Sequence, residues 1–205
     1  MDIAKILPLA IVMVTGPQIL TAIFLATSKQ WRKNSLAFIL GGAIAVTTIA
    51  TAAFLLRVGA QNHGVKNHDP DLIVLALIIA AAIHTFMTRK QSKPPKWMGK
   101  LEETKPKVAF KIGFLLMGFF PGDILTAIAV GGYISGHNEP WAHILPFIGL
   151  TLLLLAIPAL LVIILGKRAE TVLPKLRNWM NDHSWIVSEF VFGMFILILL
   201  SEILS

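Results

Sequence analysis

Asp123 is the residue of this chain best placed to do chemistry. It stands inside a long apolar run, 108–134, where a carboxyl group costs several kcal/mol unless it is protonated, paired or wetted. It directly precedes the pentapeptide Ile-Leu-Thr-Ala-Ile at 124–128, and the same pentapeptide occurs at 19–23, directly after Gln18. Aligning the copies pairs Gln18 with Asp123 and Thr21 with Thr126. Within each copy the two polar residues are three apart, so they share a helix face. A helix-breaking pair precedes each set, Gly16-Pro17 after Thr15 in the first copy and Pro121-Gly122 in the second. Proline at a first helical position loses nothing by lacking an N–H, so each breaker can begin a half-helix. Residues Thr15, Gly16, Pro17, Gln18 and Thr21, with Pro121, Gly122, Asp123 and Thr126, form the candidate substrate or coupling site. Asp123 has two readings: a proton-exchanging group, or a cap on a half-helix that begins after Gly122.

The elements that carry these residues are membrane spans. The 205 residues are 56% hydrophobic with a mean hydropathy of +0.75, far above a soluble domain. Six apolar runs, 3–26, 36–56, 72–87, 108–134, 141–165 and 185–204, approach the ~20 residues a bilayer crossing needs. The expected fold is an all-α membrane protein of six transmembrane helices, the first and fourth of them broken. Three spans per half turn the second copy upside down, so the halves, 1–88 and 108–205 joined by a basic linker 89–107, become inverted 3+3 repeats with a site at midplane. The start of the chain lacks the pattern of a cleaved signal peptide, so the first run is expected to persist as a span. Gly41, Ala45, Thr48 and Ala52 form a small-residue strip on the second span, suited to close helix contact.

Charge orients the bundle. Of the 18 Lys and Arg residues, fifteen fall in odd-numbered loops: Lys29, Arg32 and Lys33, the set from Arg89 to Lys111, then Lys167, Arg168, Lys175 and Arg177. The positive-inside rule places these loops in the cytoplasm and both termini outside. This sorting accounts for the net charge of +7 without a nucleic-acid partner, and the linker is basic enough to touch anionic lipid. Cysteine is absent, which removes disulfides, thiolate metal sites and thiol redox chemistry. Two further ionisable residues lie in spans, His84 and Glu189, both toward the cytoplasmic side. They can pair across the bundle, as a proton relay or as a structural pair. The outer-loop residues His63, His68, Asp69, Asp71, His137, Glu139 and His143 match no compact ligand spacing, so neither metal nor cofactor is expected. Nothing resembles a nucleophile with its base, which argues against an enzyme.

The residues also carry a resemblance. Gly16-Pro17-Gln18, the polar turn 27–33, and Asn34-Ser35-Leu36-Ala37-Phe38-Ile39-Leu40-Gly41 resemble the start of the LysE superfamily of small six-span exporters. The stretch Pro95-Lys96-Trp97-Met98, then 107–113 and the Pro121 break, is similar to the central loop and fourth span of its GAP family, also called Sap-like or sulfolipid-addressing proteins. The resemblance implies a compact 3+3 bundle that exports across the cytoplasmic membrane and moves glycolipids or peptidoglycolipids toward the envelope. Where that family's second break usually reads Asn-Pro-Lys-Asn, this chain reads Phe120-Pro121-Gly122-Asp123. An acidic residue in place of a basic one favours a cationic substrate or a coupling proton there over a lipid anion.

The leading expectation is a proton-coupled secondary exporter of a lipid, glycolipid or small amphipathic solute. The alternatives are an exporter of an amino acid or metal cation and a non-transporting scaffold for envelope lipid export. No Walker-type loop is present, so energy comes from an ion gradient or a partner. The expected partners are membrane lipids and the substrate, and the small-residue strip permits a homodimer.

Overall fold

Four of the helices among the described residues begin at a proline. In a computed structural model, which describes residues 6–62, 70–88, 101 and 103–204, the first apolar run is two helices, α1 (Leu9–Val14) and α2 (Pro17–Ala26). Thr15 is extended, and Gly16 has φ 114° and ψ −140°, a conformation open to glycine but strained for other residues. Pro17 then takes the first helical position. The fourth run breaks in the same manner, between α5 (Pro106–Phe119) and α6 (Pro121–Gly136), with a bend of 67°. Here the hinge is Phe120, held extended at φ −74° and ψ 124°, the conformation a following proline imposes. The other helices are α3 (Trp31–Asn62), α4 (Pro70–Thr88), α7 (Leu145–Leu165) and α8 (Ala169–Leu204).

Every regular element among the described residues is helical. By length and composition, α3 over Trp31–Arg57 and α7 with its preceding turn over Trp141–Leu165 are long and apolar enough to cross a membrane, and α5 with α6 makes a third if counted as one bent span. Pro17–Ala26 and Leu75–Met87 are shorter apolar helices.

α2 is the centre of the core: each residue from Gln18 to Ala26 is buried, as suits a helix apolar on all sides. α7 packs along both α1 and α2, while α3 packs along both α5 and α6, and α4 lies against α6 and α8. The α3 contacts are glycine-mediated. A Cβ built at Gly41 would fall 2.2 Å from the Phe110 carbonyl oxygen, one at Gly113 2.1 Å from the Phe38 oxygen, and one at Gly131 2.2 Å from the Ala50 oxygen. Gly42 against Met117, Gly118 against Ala45 and Gly131 against Ala50 advance together along both partners, so α3 runs in the same direction as α5 and α6.

This seam corrects the small-residue strip. Gly41 and Ala45 face the partner helices, but Thr48 and Ala52 are exposed, and the contact passes instead through Ala50 and Ala53. At one end of α3, Asn34 Nδ2 donates to Ser28 Oγ at 2.8 Å and to the Thr104 carbonyl at 3.0 Å. At the other end, Trp141 Nε1 donates to Thr51 Oγ1 at 2.9 Å. The turn 27–30 and residues 103–104 therefore share one end of the bundle, and the start of α7 lies toward the other.

Candidate functional site

The two broken helices meet at their restarts. Gln18, in the first turn of α2, donates from Nε2 to Asp123 Oδ2 in the first turn of α6. Gln18 is 0% exposed and Asp123 2%, so this bond joins the halves of the chain inside the apolar interior. Thr21 Oγ1 donates to the Pro17 carbonyl at 2.7 Å and Thr126 Oγ1 to the Gly122 carbonyl at 2.8 Å. Both hydroxyls thus bond one turn back on their own helix, as threonine does where no external partner is required. Thr15 likewise donates to the Ile11 carbonyl.

The four residues paired by the pentapeptide are all buried, and the two threonines make the same bond, each to the carbonyl four residues back. α6 begins at Pro121, with Phe120 as its N-cap residue and no side-chain cap. Asp123 is therefore inside the first turn and is not the capping residue of a helix that starts after Gly122. Pro17 and Pro121 hold equivalent first positions, which leaves Gln18 and Asp123 one helical position out of register although the pentapeptide aligns them. Gly16 and Pro17 are half-buried, Gly122 is buried and Pro121 is exposed.

The positive ends of two half-helices converge on one carboxyl group and one amide. Such a set can exchange a proton or hydrogen-bond a guest. The carbonyl oxygen of that amide, Gln18 Oε1, has no hydrogen-bond partner and lies 3.3 Å from where a Gly16 Cβ would be. Gly16→Ala meets both this contact and the positive φ, so we expect a loss of about 1–3 kcal/mol of stability, read as a lower unfolding temperature of the purified protein in detergent.

His84 is half-buried, and its ring meets Phe120 edge-on with centroids 6.3 Å apart. Glu189 is half-buried on α8, which packs against α4, the helix of His84. On the far end, His143 Nδ1 lies 2.9 Å from Glu139 Oε2, and His137 is engaged with Tyr133, its Nδ1 2.9 Å from the Tyr133 carbonyl. Among the described residues no three His, Asp or Glu side chains gather as a metal site. His63, His68 and Asp69 lie outside the described residues, as does the side chain of Asp71. Sequence reasoning missed the buried clamp of Ser28, Asn34 and Thr104. Its only trace was polarity at 27–35 beside two apolar runs.

An all-helical membrane protein with two proline-broken helices joined through a buried amide–carboxyl bond is the class these features define. The family described as Sap, sulfolipid-1-addressing protein, matches residues 6–204, nearly the whole chain. The chain belongs to that family, in agreement with the Sap-like resemblance of its turns and breaks. No curated protein and no solved structure matches the chain.

Proposed function

We propose that this protein is a secondary exporter of the cytoplasmic membrane, moving a lipid or glycolipid outward with proton exchange at Asp123. The observation that carries the reading is the buried Gln18–Asp123 bond between the starts of two broken helices. Discontinuous helices whose half-helix starts meet are the usual site-building device of secondary transporters. The lipid class is supported by the family's description as sulfolipid-1-addressing, and placement within the LysE superfamily of small exporters agrees with both.

The packing supports an inverted 3+3 repeat. α2 leads through a short turn into α3, so it runs opposite to α3 and hence opposite to α5 and α6. Each half lends its middle helix to the other half's broken one: α3 lies on α5 and α6, α7 on α1 and α2. α4 against α6 has its counterpart in α8 against α2. In this reading Lys29, Arg32 and Lys33 share the cytoplasmic end with residues 103–107, both termini lie outside, and rocking of one repeat against the other opens the Gln18–Asp123 contact to each side in turn. His84, beside Phe120, is the group from which a proton reaches Asp123.

The test uses the natural absence of cysteine. Thr21→Cys and Thr126→Cys variants are reconstituted in liposomes and treated with a membrane-impermeant maleimide on each side, alongside an assay for outward movement of a fluorescent sulfatide under a proton gradient. Labelling at either position with gradient-driven sulfatide movement is expected. Silence at both positions with no movement leaves the chain as a scaffold for another export machine.

A further inference from the structure

The cationic turn ahead of α3 serves the reading above only as a mark of the cytoplasmic end. Lys29, Arg32 and Lys33 fall within five consecutive residues, and with Gln30 and Trp31 they line a shallow cleft of about 290 Å³. All three cations are exposed, as are Lys105 and Lys107 just beyond Thr104. The Arg32 guanidinium lies over the Trp31 ring, 5.2 Å from its centre. Glu103 pairs with Lys29 at 3.3 Å, but both side chains are about four-fifths exposed, so water screens the pair and it neutralises little.

A loose basic loop would do no more than set topology. This turn is pinned on both sides. Ser28 is 3% and Asn34 0% exposed. Ser28 Oγ donates to the Leu25 carbonyl at 2.7 Å, and Asn34 Nδ2 ties Ser28 to the Thr104 carbonyl. Holding the turn in advance lowers the ordering cost of binding. It ends at Trp31, where the apolar span Trp31–Arg57 begins, and the end of a span carrying an amphipathic Trp ring belongs at the level of the lipid headgroups. Arginine forks onto phosphate or sulfate oxygens, and lysines add point charge.

We propose that the Lys29–Lys33 turn binds the anionic headgroup, a phosphate or sulfate ester, of a lipid in the adjoining leaflet. Asp123 makes the interior break acidic, so the countercharges for an anionic headgroup are found at this turn and not at the break. The lipid binds here whether or not it is cargo, so the site stands apart from the transport reading.

The full-length protein in neutral detergent is titrated with phosphatidylglycerol or phosphatidylcholine, and bound lipid is counted by native mass spectrometry. The wild type is expected to bind the first phosphatidylglycerol well ahead of phosphatidylcholine. Replacing Lys29, Arg32 and Lys33 together with Gln weakens that event on the order of a hundredfold, from about fivefold per cation near an anionic surface. Replacing Lys167, Arg168 and Lys175 together with Gln removes the same charge and leaves it nearly unchanged. Asn34→Ala, which unpins the turn without altering charge, weakens it as well. Equal losses in the two triple variants would mean that any basic loop serves and would overturn the site. Inorganic sulfate binding as tightly as the lipid would overturn the lipid assignment.

Discussion

Gly113→Ala will force α3 and α5 apart and destabilise the protein by about 3 kcal/mol, the upper end of what overpacking costs. The added Cβ would lie 2.1 Å from the Phe38 carbonyl oxygen and 2.9 Å from its carbonyl carbon. Both are backbone atoms of a helix, so no side-chain rotation relieves the contact. The reciprocal position gives the same result: a Cβ at Gly41 falls 2.2 Å from the Phe110 oxygen and 2.8 Å from the Phe114 nitrogen. In lipid, where helices gain nothing by hiding apolar surface from one another, such close approach supplies much of the association. Gly132 is the internal control, since a Cβ there meets nothing within 4 Å. Thermal unfolding in detergent, with monodispersity on gel filtration, should separate Gly113→Ala from Gly132→Ala clearly. Equal unfolding temperatures would show that α3 and α5 do not meet at this seam.

The same seam marks the boundary of what the sequence makes legible. The helix breaks could be read because their causes are local: Pro17 and Pro121 act on the residues beside them, whatever surrounds them. The approach of Gln18 to Asp123 could be read because the pentapeptide repeat ties two distant positions to equivalent depths. The contact strip on α3 was only half legible. Steps of four, three and four from Gly41 lead through Ala45 to Thr48 and Ala52 along a straight partner, but the partner is bent by 67° at Phe120. α5 meets the stretch from Phe38 to Ala45, and α6 then crosses to Ala50 and Ala53. The side of α3 that Thr48 and Ala52 occupy is left exposed. Asn34 was illegible as a clamp for a different reason. Its partner Thr104 lies 70 residues away, and no local pattern announces which backbone carbonyl a buried amide will find.

The sharpest test of Asp123 separates its hydrogen bond from its proton. Asp123→Asn keeps an oxygen that Gln18 Nε2 can donate to, so the link between α2 and α6 survives and the unfolding temperature should change little. What the substitution removes is the ability to bind and release a proton. If Asp123 couples export to the gradient, gradient-driven movement of a fluorescent sulfatide in proteoliposomes will fall at least tenfold, and the residual rate will lose its dependence on pH. Gln18→Leu makes the opposite change: the carboxyl remains, but its donor is gone in a fully buried setting. An unsatisfied buried group of this kind costs about 1–3 kcal/mol, and more when charged. This variant should therefore unfold at lower temperature while whatever transport it retains still responds to pH. Two side chains that touch thus predict opposite signatures, one kinetic and one thermodynamic. An Asp123→Asn protein that exports at the wild-type rate with the wild-type pH profile would assign the carboxyl to holding the half-helices together, and the proton route would have to pass elsewhere, with His84 beside the same break the next group to replace.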